Sequence, residues 1–380
     1  MVAAMSDAAA PFAPGACPRL VVKIGSSLLV DREGAVRREW LAGLADDLAA
    51  RHAAGQRLVI VSSGAIALGA RRLALAKGGR ASLEDAQAAA AVGQIALSQA
   101  WAELLGARGL AAAQMLVTLD DLEDRRRYLN ASATLGRLLS LGAVPVINEN
   151  DSVATAEIRF GDNDRLAARV GQAAGADGVV LLSDVDGLFT ANPARDPCAT
   201  LIERVEAVHA GIRAMAGADS GSGMGSGGMA SKLQAAEIAT RAGIALAITS
   251  GTRANPLAAF AADGRGTLFV ANGRARARQG WLGGRLTARG RIRVDAGAVA
   301  ALRAGKSLLP AGAVGVEGRF ERGQVVDITG PDGAVVARGL AEYPAAEAAL
   351  VAGRRSSELA DLLGHAPRSA LVHRDHLVLL

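Results

Sequence analysis

Leu20-Val-Val-Lys-Ile-Gly-Ser-Ser27 decides the fold. A short apolar run around one lysine reads as a buried strand. Gly25-Ser26-Ser27 then turns the chain sharply. Lys23 sits near the strand's C-terminal end, where open α/β sheets place their ligands. The same design returns at Arg57-Leu-Val-Ile-Val61, followed by Ser62-Ser63-Gly64-Ala65-Ile66. Further strands are expected at Leu110–Val117, Ala143–Ile147, Gly178–Leu182 and Ile244–Thr249. Helical spacing is expected at Val36–Ala54, Ala65–Lys77, Ser82–Ala107 and Asp120–Ser140, and a further helix opens at Arg165. Strands alternating with helices predict an α/β fold, an open and mainly parallel sheet sandwiched by helices.

Gly221-Ser-Gly-Met-Gly-Ser-Gly-Gly-Met-Ala-Ser-Lys232 is a second decisive stretch. Glycines are costly to order, and what they offer is close approach of backbone N–H groups to an anion. A helix follows, so Lys232 falls in a first helical turn, where the macrodipole disfavours a cation. A nearby anion would offset that penalty, so the loop reads as a phosphate cradle. It is not a Walker A loop, because Gly228 is followed by Met-Ala-Ser-Lys. Gly223, Gly225 and Gly228 satisfy G-x-G-x-x-G, but a helical stretch precedes them and no acidic residue lies about 20 residues on. A dinucleotide oxidoreductase is therefore disfavoured. Only four residues are lysine, Lys23, Lys77, Lys232 and Lys306, and two of them occupy the two best phosphate-binding positions. A compact ammonium fits where arginine's planar fork does not.

Two polar clusters leave apolar runs. Asn148-Glu149-Asn150-Asp151-Ser152 follows one strand, and Gly161-Asp162-Asn163-Asp164 opens a helix. Turn chemistry needs only one or two such residues. The excess points to an amine-bearing ligand or a metal, or both. Ser183-Asp184-Val185-Asp186-Gly187 leaves a third strand.

The 380 residues suffice for two or three domains. No apolar run approaches the length of a membrane span. Residues 1–18 have neither the basic start nor the apolar segment of a secretory signal and are expected to be a disordered tail. Two cysteines, Cys17 and Cys198, make no disulfide framework and point to a reducing cytoplasm. The five histidines lack metal-ligand spacing, so no zinc site is expected. Between Ala271 and Gly330 there are 11 Arg or Lys against 4 Asp or Glu. That surplus raises the possibility of nucleic acid, although no aromatic interleaving accompanies it. From Arg289 onward short apolar runs alternate with turns. Asp332-Gly333 between Val326–Thr329 and Ala334–Ala337 is a hairpin signal. His373-Arg374-Asp375 matches a protein-kinase loop by letters only, since no companion motif follows.

Six motifs in order carry a resemblance. They are V-V-K-I-G-S-S from Val21, S-S-G-A-I-A-L-G from Ser62, I-N-E-N-D-S-V from Ile147, G-D-N-D from Gly161, S-D-V-D-G-L-F-T from Ser183 and G-S-G-G-M-A-S-K from Gly225. The chain resembles the glutamate 5-kinases, the branch of the amino acid kinase family that carries a C-terminal PUA domain. The resemblance implies an amino acid kinase-like domain over 19–270, a basic linker over 271–288 and a small β-rich PUA-like domain over 289–376. It implies transfer of the γ-phosphoryl of ATP, with Mg²⁺, to the side-chain carboxylate of L-glutamate, the first step of proline biosynthesis. Lys23, Lys232, Asp162 and Asp164 are the implied catalytic residues, the two lysines flanking the transferred group and the two aspartates holding the lysines or the metal. Ser63, Asp151, Asn163 and Asn148 are the implied glutamate-binding positions. Lys23, Ser183, Asp184 and the run Ser226, Gly227, Gly228, Met229, Ala230, Ser231, Lys232 are the implied nucleotide site. No metal ligand is assigned among the protein side chains. The family usually has Thr at positions 183 and 226, and a lysine is common where Arg159 stands. The resemblance further implies feedback inhibition by proline, a glutamyl phosphate reductase as pathway partner, a homo-oligomer and no membrane association. An RNA-binding protein acting through the PUA-like part, or another phosphotransferase of the same family, remains as an alternative.

Overall fold

The computed structural model describes residues 8–31, 34–153, 163–216, 228–271, 273 and 288–380. The chain forms two compact units. One comprises Met1–Glu123 with Ala131–Asn272, the other Asp124–Asn130 with Gly273–Leu380.

The first unit is built on an eight-stranded sheet. Its strands are β1 (Arg19–Ile24), β2 (Arg57–Ser62), β3 (Ala112–Val117), β4 (Val144–Glu149), β5 (Gly178–Ser183), β6 (Arg204–Val205), β7 (Ala245–Ser250) and β8 (Gly266–Phe269). Their order is β3-β4-β2-β1-β5-β7-β8-β6. All pairs are parallel except β7 with β8. From β1 the chain builds outward through β2 on one side, then returns to place β5 on the other. Lys23 pairs with Val61 on one flank and Leu181 on the other. That reversal is where an open α/β sheet leaves a crevice beyond its strand ends. Leu20, Val21, Val22 and Ile24 are all buried, because helices cover both faces of a parallel sheet and leave no polar side to alternate with.

The helices Ala65–Arg72 and Leu83–Gly106 cross at unusually close range. A Cβ at Gly93 would lie 1.8 Å from the Ala65 carbonyl oxygen, and one at Gly69 would lie 1.7 Å from that of Ala89. Only hydrogen at these two positions permits the approach. Farther along the long helix, buried Trp101 donates its indole N–H to Ser62 Oγ at 3.0 Å. The crossing therefore braces the segment in which β2 ends and the next helix begins.

Four local expectations change. The helix expected over Ala65–Lys77 stops at Arg72: Ala74 takes φ 52°, and the Leu75 N–H reaches back to the Ala70 carbonyl at 2.8 Å. That is a helix C-cap made with alanine in place of glycine. The helix expected over Asp120–Ser140 is two, Leu119–Glu123 and Arg125–Ser140. Asp124 separates them, its side chain accepting from the Arg127 N–H at 2.9 Å as a helix cap. β8 adds an antiparallel strand after the expected last one. The tail expected to be disordered over 1–18 contains a 3₁₀ turn at Ala10–Phe12. Phe12 and Cys17 are fully buried, and Phe12 lies 6.1 Å from the ring of Phe260.

The second unit holds a five-stranded sheet of β9 (Gly290–Val294), β10 (Ala313–Gly318), β11 (Val325–Thr329), β12 (Val335–Leu340) and β13 (Leu377–Leu379), in the order β10-β9-β11-β12-β13. The expected hairpin is β11–β12, turning through Gly333 at φ 78°. Ile292, Val294, Val326, Ile328, Ala337 and Tyr343 belong to its own apolar core. β13 pairs with β12, so the sheet continues past the expected limit at residue 376.

Candidate active site

Three elements deliver one charged cluster. β1 carries Lys23, the helix Asn163–Ala174 carries Asp164 in its first turn, and the helix Met229–Arg241 carries Lys232 in its first turn. Lys23 Nζ lies 2.5 Å from Asp164 Oδ1, and Lys232 Nζ lies 3.0 Å from Asp164 Oδ2. Both lysine side chains are 7% exposed and the aspartate is fully enclosed. Burial pushes the Asp164 carboxyl upward, but the charges and hydrogen bonds of Lys23 and Lys232 outweigh it and hold the group below the usual carboxylate range. One buried anion against two cations leaves a local surplus of positive charge. In a site shielded from water such a surplus attracts an anion strongly.

A second, neutral cluster adjoins it. Asn163 Nδ2 donates to Ser63 Oγ at 2.8 Å and to Asn148 Oδ1 at 3.2 Å. Asn148 Nδ2 donates to Gln94 Oε1 at 2.9 Å. Asn148 and Asn163 are both buried, and Asn163 Oδ1 is enclosed without a hydrogen-bond partner among the described residues. Ser63 precedes Gly64, whose φ of 104° turns β2 into the next helix. Asp151 sits in a 3₁₀ turn (Asp151–Val153) just past β4. Burial drives its carboxyl up to about 6, with the charge of Arg80 pulling the other way.

β5 ends at Ser183, whose hydroxyl bonds to Asp184 Oδ1 at 3.1 Å. Ser183 is a register partner of Ser250 at the end of β7. Gly228 is the N-cap of the Met229–Arg241 helix and contributes no capping side chain of its own. A helix N-terminus suits an anion.

Of the residues expected at the site, Lys23, Asp164 and Lys232 meet directly, as do Ser63, Asn148 and Asn163. Asn163 and Asp164 are neighbours in sequence and join the two groups. Asp151, Ser183, Asp184 and Gly228 to Ser231 lie at strand or helix ends of the same unit. Asp162, Ser226 and Gly227 lie outside the described residues, as do Arg159 and nearly all of the expected basic linker. Gln94 was not expected. Its only signal in sequence was a polar residue set in the apolar run Ala88 to Leu97 of a helix, with Ser98 one turn on.

Two alternative readings lose ground. Among the described residues, the element before the G-x-G-x-x-G match is the helix Ala210–Met215, where a dinucleotide fingerprint needs a strand. In the second unit, Arg293 pairs with Glu317 at 3.0 Å and Arg338 with Asp327 at 2.8 Å, so these two arginines are engaged within the sheet. Among the described residues no group of three or more His, Cys, Asp or Glu side chains is arranged to hold a metal ion, and no helix is long and apolar enough to cross a membrane.

The amino acid kinase family matches residues 18–250, and the PUA domain matches residues 290–363. The chain is 64% identical to glutamate 5-kinase of Zymomonas mobilis over 371 residues, covering 98% of this chain and 94% of that protein. It is 67% identical to glutamate 5-kinase of Sphingopyxis alaskensis, covering 97% and 99% of the two chains. It is 65% identical to the same enzyme of Novosphingobium aromaticivorans, covering 96% of each. Family matches over both parts of the chain and identity at this level over nearly its full length have one meaning: the chain belongs to the amino acid kinase family, in its glutamate 5-kinase branch with a C-terminal PUA domain.

Proposed function

We propose that this protein transfers the γ-phosphoryl group of ATP to the side-chain carboxylate of L-glutamate, giving L-glutamyl 5-phosphate and ADP. The observation that carries the reading is the pair of buried lysines on Asp164, set one residue from the Asn163–Ser63–Asn148 cluster. A carboxylate is ionised at neutral pH and needs no general base. Its oxygen forms a bond to Pγ as the bond from Pγ to the bridging oxygen of ADP breaks, and no proton moves. Catalysis of this step is positioning and charge stabilisation. Lys23 and Lys232 lower the repulsion between the two anionic reactants and stabilise the charge of the transferred group. Asp164 keeps the two ammonium groups aimed. Ser63, Asn148, Asn163 and Asp151 hold the amino acid. Ser183, Asp184 and the start of the Met229–Arg241 helix hold the nucleotide.

Both oxygens of Asp164 are engaged by lysines, so that carboxylate is not a free metal ligand. Mg²⁺ accordingly belongs to the nucleotide's phosphates, where it supplies further charge neutralisation. The product is a mixed anhydride that water destroys, so a reductase acting on acyl phosphates is the expected consumer. Proline, a cyclised relative of the substrate, is the proposed feedback inhibitor at the Asn148–Asp164 region. A homo-oligomer and a regulatory or assembly role for the PUA domain complete the proposal. Buried Cys17, whose thiol donates to the Arg19 carbonyl oxygen, and exposed Cys198 are not joined in a disulfide, in keeping with the proposed cytoplasmic setting.

The test is ATP- and Mg²⁺-dependent formation of hydroxamate from L-glutamate in the presence of hydroxylamine. No hydroxamate above the background without enzyme overturns the proposal.

A further inference from the structure

A hydrogen-bonded chain runs from the sheet edge into the site. Ser98 Oγ lies 2.6 Å from Gln114 Oε1 on β3 and 2.8 Å from the Gln94 carbonyl oxygen. Gln94 Nε2 donates to Ser98 Oγ at 3.1 Å. With its nitrogen committed there, Gln94 turns its Oε1 toward Asn148, which donates to it at 2.9 Å. Asn148 has thereby spent its nitrogen outward and shows its oxygen inward, to Asn163 Nδ2 at 3.2 Å. Asn163 Nδ2 has two hydrogens. One goes to Asn148 and the other to Ser63 Oγ at 2.8 Å.

The direction of this chain fixes what remains at its end. Ser63 has accepted a hydrogen bond, so its own hydroxyl hydrogen is available to donate. Asn163 has used its nitrogen, so its buried Oδ1 is an acceptor without a partner among the described residues. A donor beside an acceptor is the complement of a carboxylate beside an ammonium, the head of an α-amino acid. Were Asn148 to rotate its amide by half a turn, Asn163 would follow. Oδ1 would then be consumed inside the protein and an N–H would face the ammonium.

We propose that Gln94 is a positioning residue for the acceptor amino acid. It sets the hydrogen-bond direction through Asn148 and Asn163, leaving Ser63 to donate to the α-carboxylate and Asn163 Oδ1 to accept from the α-ammonium. The inference rests on the assignment of this cluster to the acceptor amino acid. Gln94 touches no reacting atom, and its effect falls on recognition and not on the phosphoryl step.

Gln94→Met keeps the length of the side chain and removes both polar ends. Gln94→Glu keeps the acceptor for Asn148. Ser63→Ala is the control for the site itself. KM for glutamate, KM for ATP, kcat and the melting temperature are measured for each. Gln94→Met is expected to raise KM for glutamate about tenfold, the effect of one misdirected hydrogen bond in a buried network. KM for ATP and kcat should stay within about twofold of the parent on the same ground, since no contact to the nucleotide is lost. Gln94→Glu should recover most of the glutamate affinity. If Ser63→Ala raises KM for glutamate but Gln94→Met does not, the role of Gln94 is overturned and the site stands. If Ser63→Ala leaves KM unchanged, the site assignment fails and the inference falls with it. If Gln94→Met lowers the melting temperature and shifts both KM values together, with no recovery in Gln94→Glu, Gln94 is a packing residue and the proposal is wrong.

Discussion

Lys23 and Lys232 come from the two ends of the kinase unit and are held on opposite oxygens of one carboxylate, Asp164, at 2.5 Å and 3.0 Å. Their relationship is mutual alignment. Two ammonium groups at such close quarters would repel in a low-dielectric site, and the shared anion removes that repulsion while fixing both directions.

Removing the anion exposes the cost. Asp164→Asn leaves two buried cations without it, and such changes cost about 3–5 kcal/mol. The expected outcome is a melting temperature lower by several degrees and hydroxamate formation reduced by about 10²-fold or more. Full activity in a stable Asp164→Asn protein would refute the arrangement.

Lys232→Ala separates fold from chemistry. The Lys23–Asp164 pair survives it, so the buried carboxylate keeps a cation. Turnover should fall about 10²–10³-fold, as for loss of one charge-stabilising donor. Circular dichroism and the melting temperature should be nearly those of the parent. Residual turnover above one tenth would remove Lys232 from the phosphoryl step.

Asp151 supplies a pH signature. Burial raises its carboxyl to about 6, well above the ordinary carboxylate value of about 3.9. A raised folded value means the group favours folding when protonated. That contribution is complete below the unfolded pKa and is lost as pH rises toward and through 6. Asp151→Asn should therefore stabilise the free protein at pH 8 by up to about 3 kcal/mol, from the shift at 1.36 kcal/mol per unit, and by little at pH 4. The same substitution should raise KM for glutamate, because the anion that is costly alone is matched by an ammonium when substrate binds. Equal stabilisation at pH 4 and pH 8, read by thermal denaturation, would contradict the raised value.

Gly93→Ala tests the helix crossing. The added methyl would lie 1.8 Å from the Ala65 carbonyl oxygen, a backbone atom that cannot step aside without moving its helix. Destabilisation by about 1–3 kcal/mol is expected for overpacking of this kind. Because Ser63 and Gly64 lead into that helix, KM for glutamate should rise as well. A variant with parental stability and KM would show that the crossing has slack.

Phe12→Ala addresses the N-terminal segment. Phe12 is fully buried against Phe260, and truncating a buried phenylalanine costs about 3–5 kcal/mol. The melting temperature should drop with kcat unaltered. An unchanged melting temperature would return the segment to the status of a tail.

The parts of this molecule that could be read from its sequence share a cause. β1 and β2 were legible because strands covered on both faces must be apolar throughout, and Lys23 stood out as an exception to that rule. Lys232 was legible because a cation in a first helical turn needs an explanation. What could not be read were distances between remote residues. Nothing local tells that Lys23 and Lys232 share Asp164, or that Gln94 meets Asn148. Phe12 was misjudged for the same reason: its partner, Phe260, lies almost at the other end of the unit, and the alanines and prolines around Phe12 look like a tail. The break at Asp124 was missed because a capping aspartate inside a charged run resembles any other helix-surface residue.

Asn163 and Asp164 occupy adjacent positions in one helical turn, one facing the amide cluster and the other the two lysines. Consecutive Cα atoms are about 3.8 Å apart and cannot drift. On the proposed assignment of these residues the helix would work as a length gauge. An amino acid whose head is gripped at Asn163 would have to carry its second carboxylate far enough to meet the ammonium pair aligned by Asp164, and aspartate, one methylene shorter, would fall short. A kcat/KM for L-aspartate within about tenfold of that for L-glutamate, the discrimination expected of one methylene in an ordinary apolar pocket, would mean that no such gauge operates.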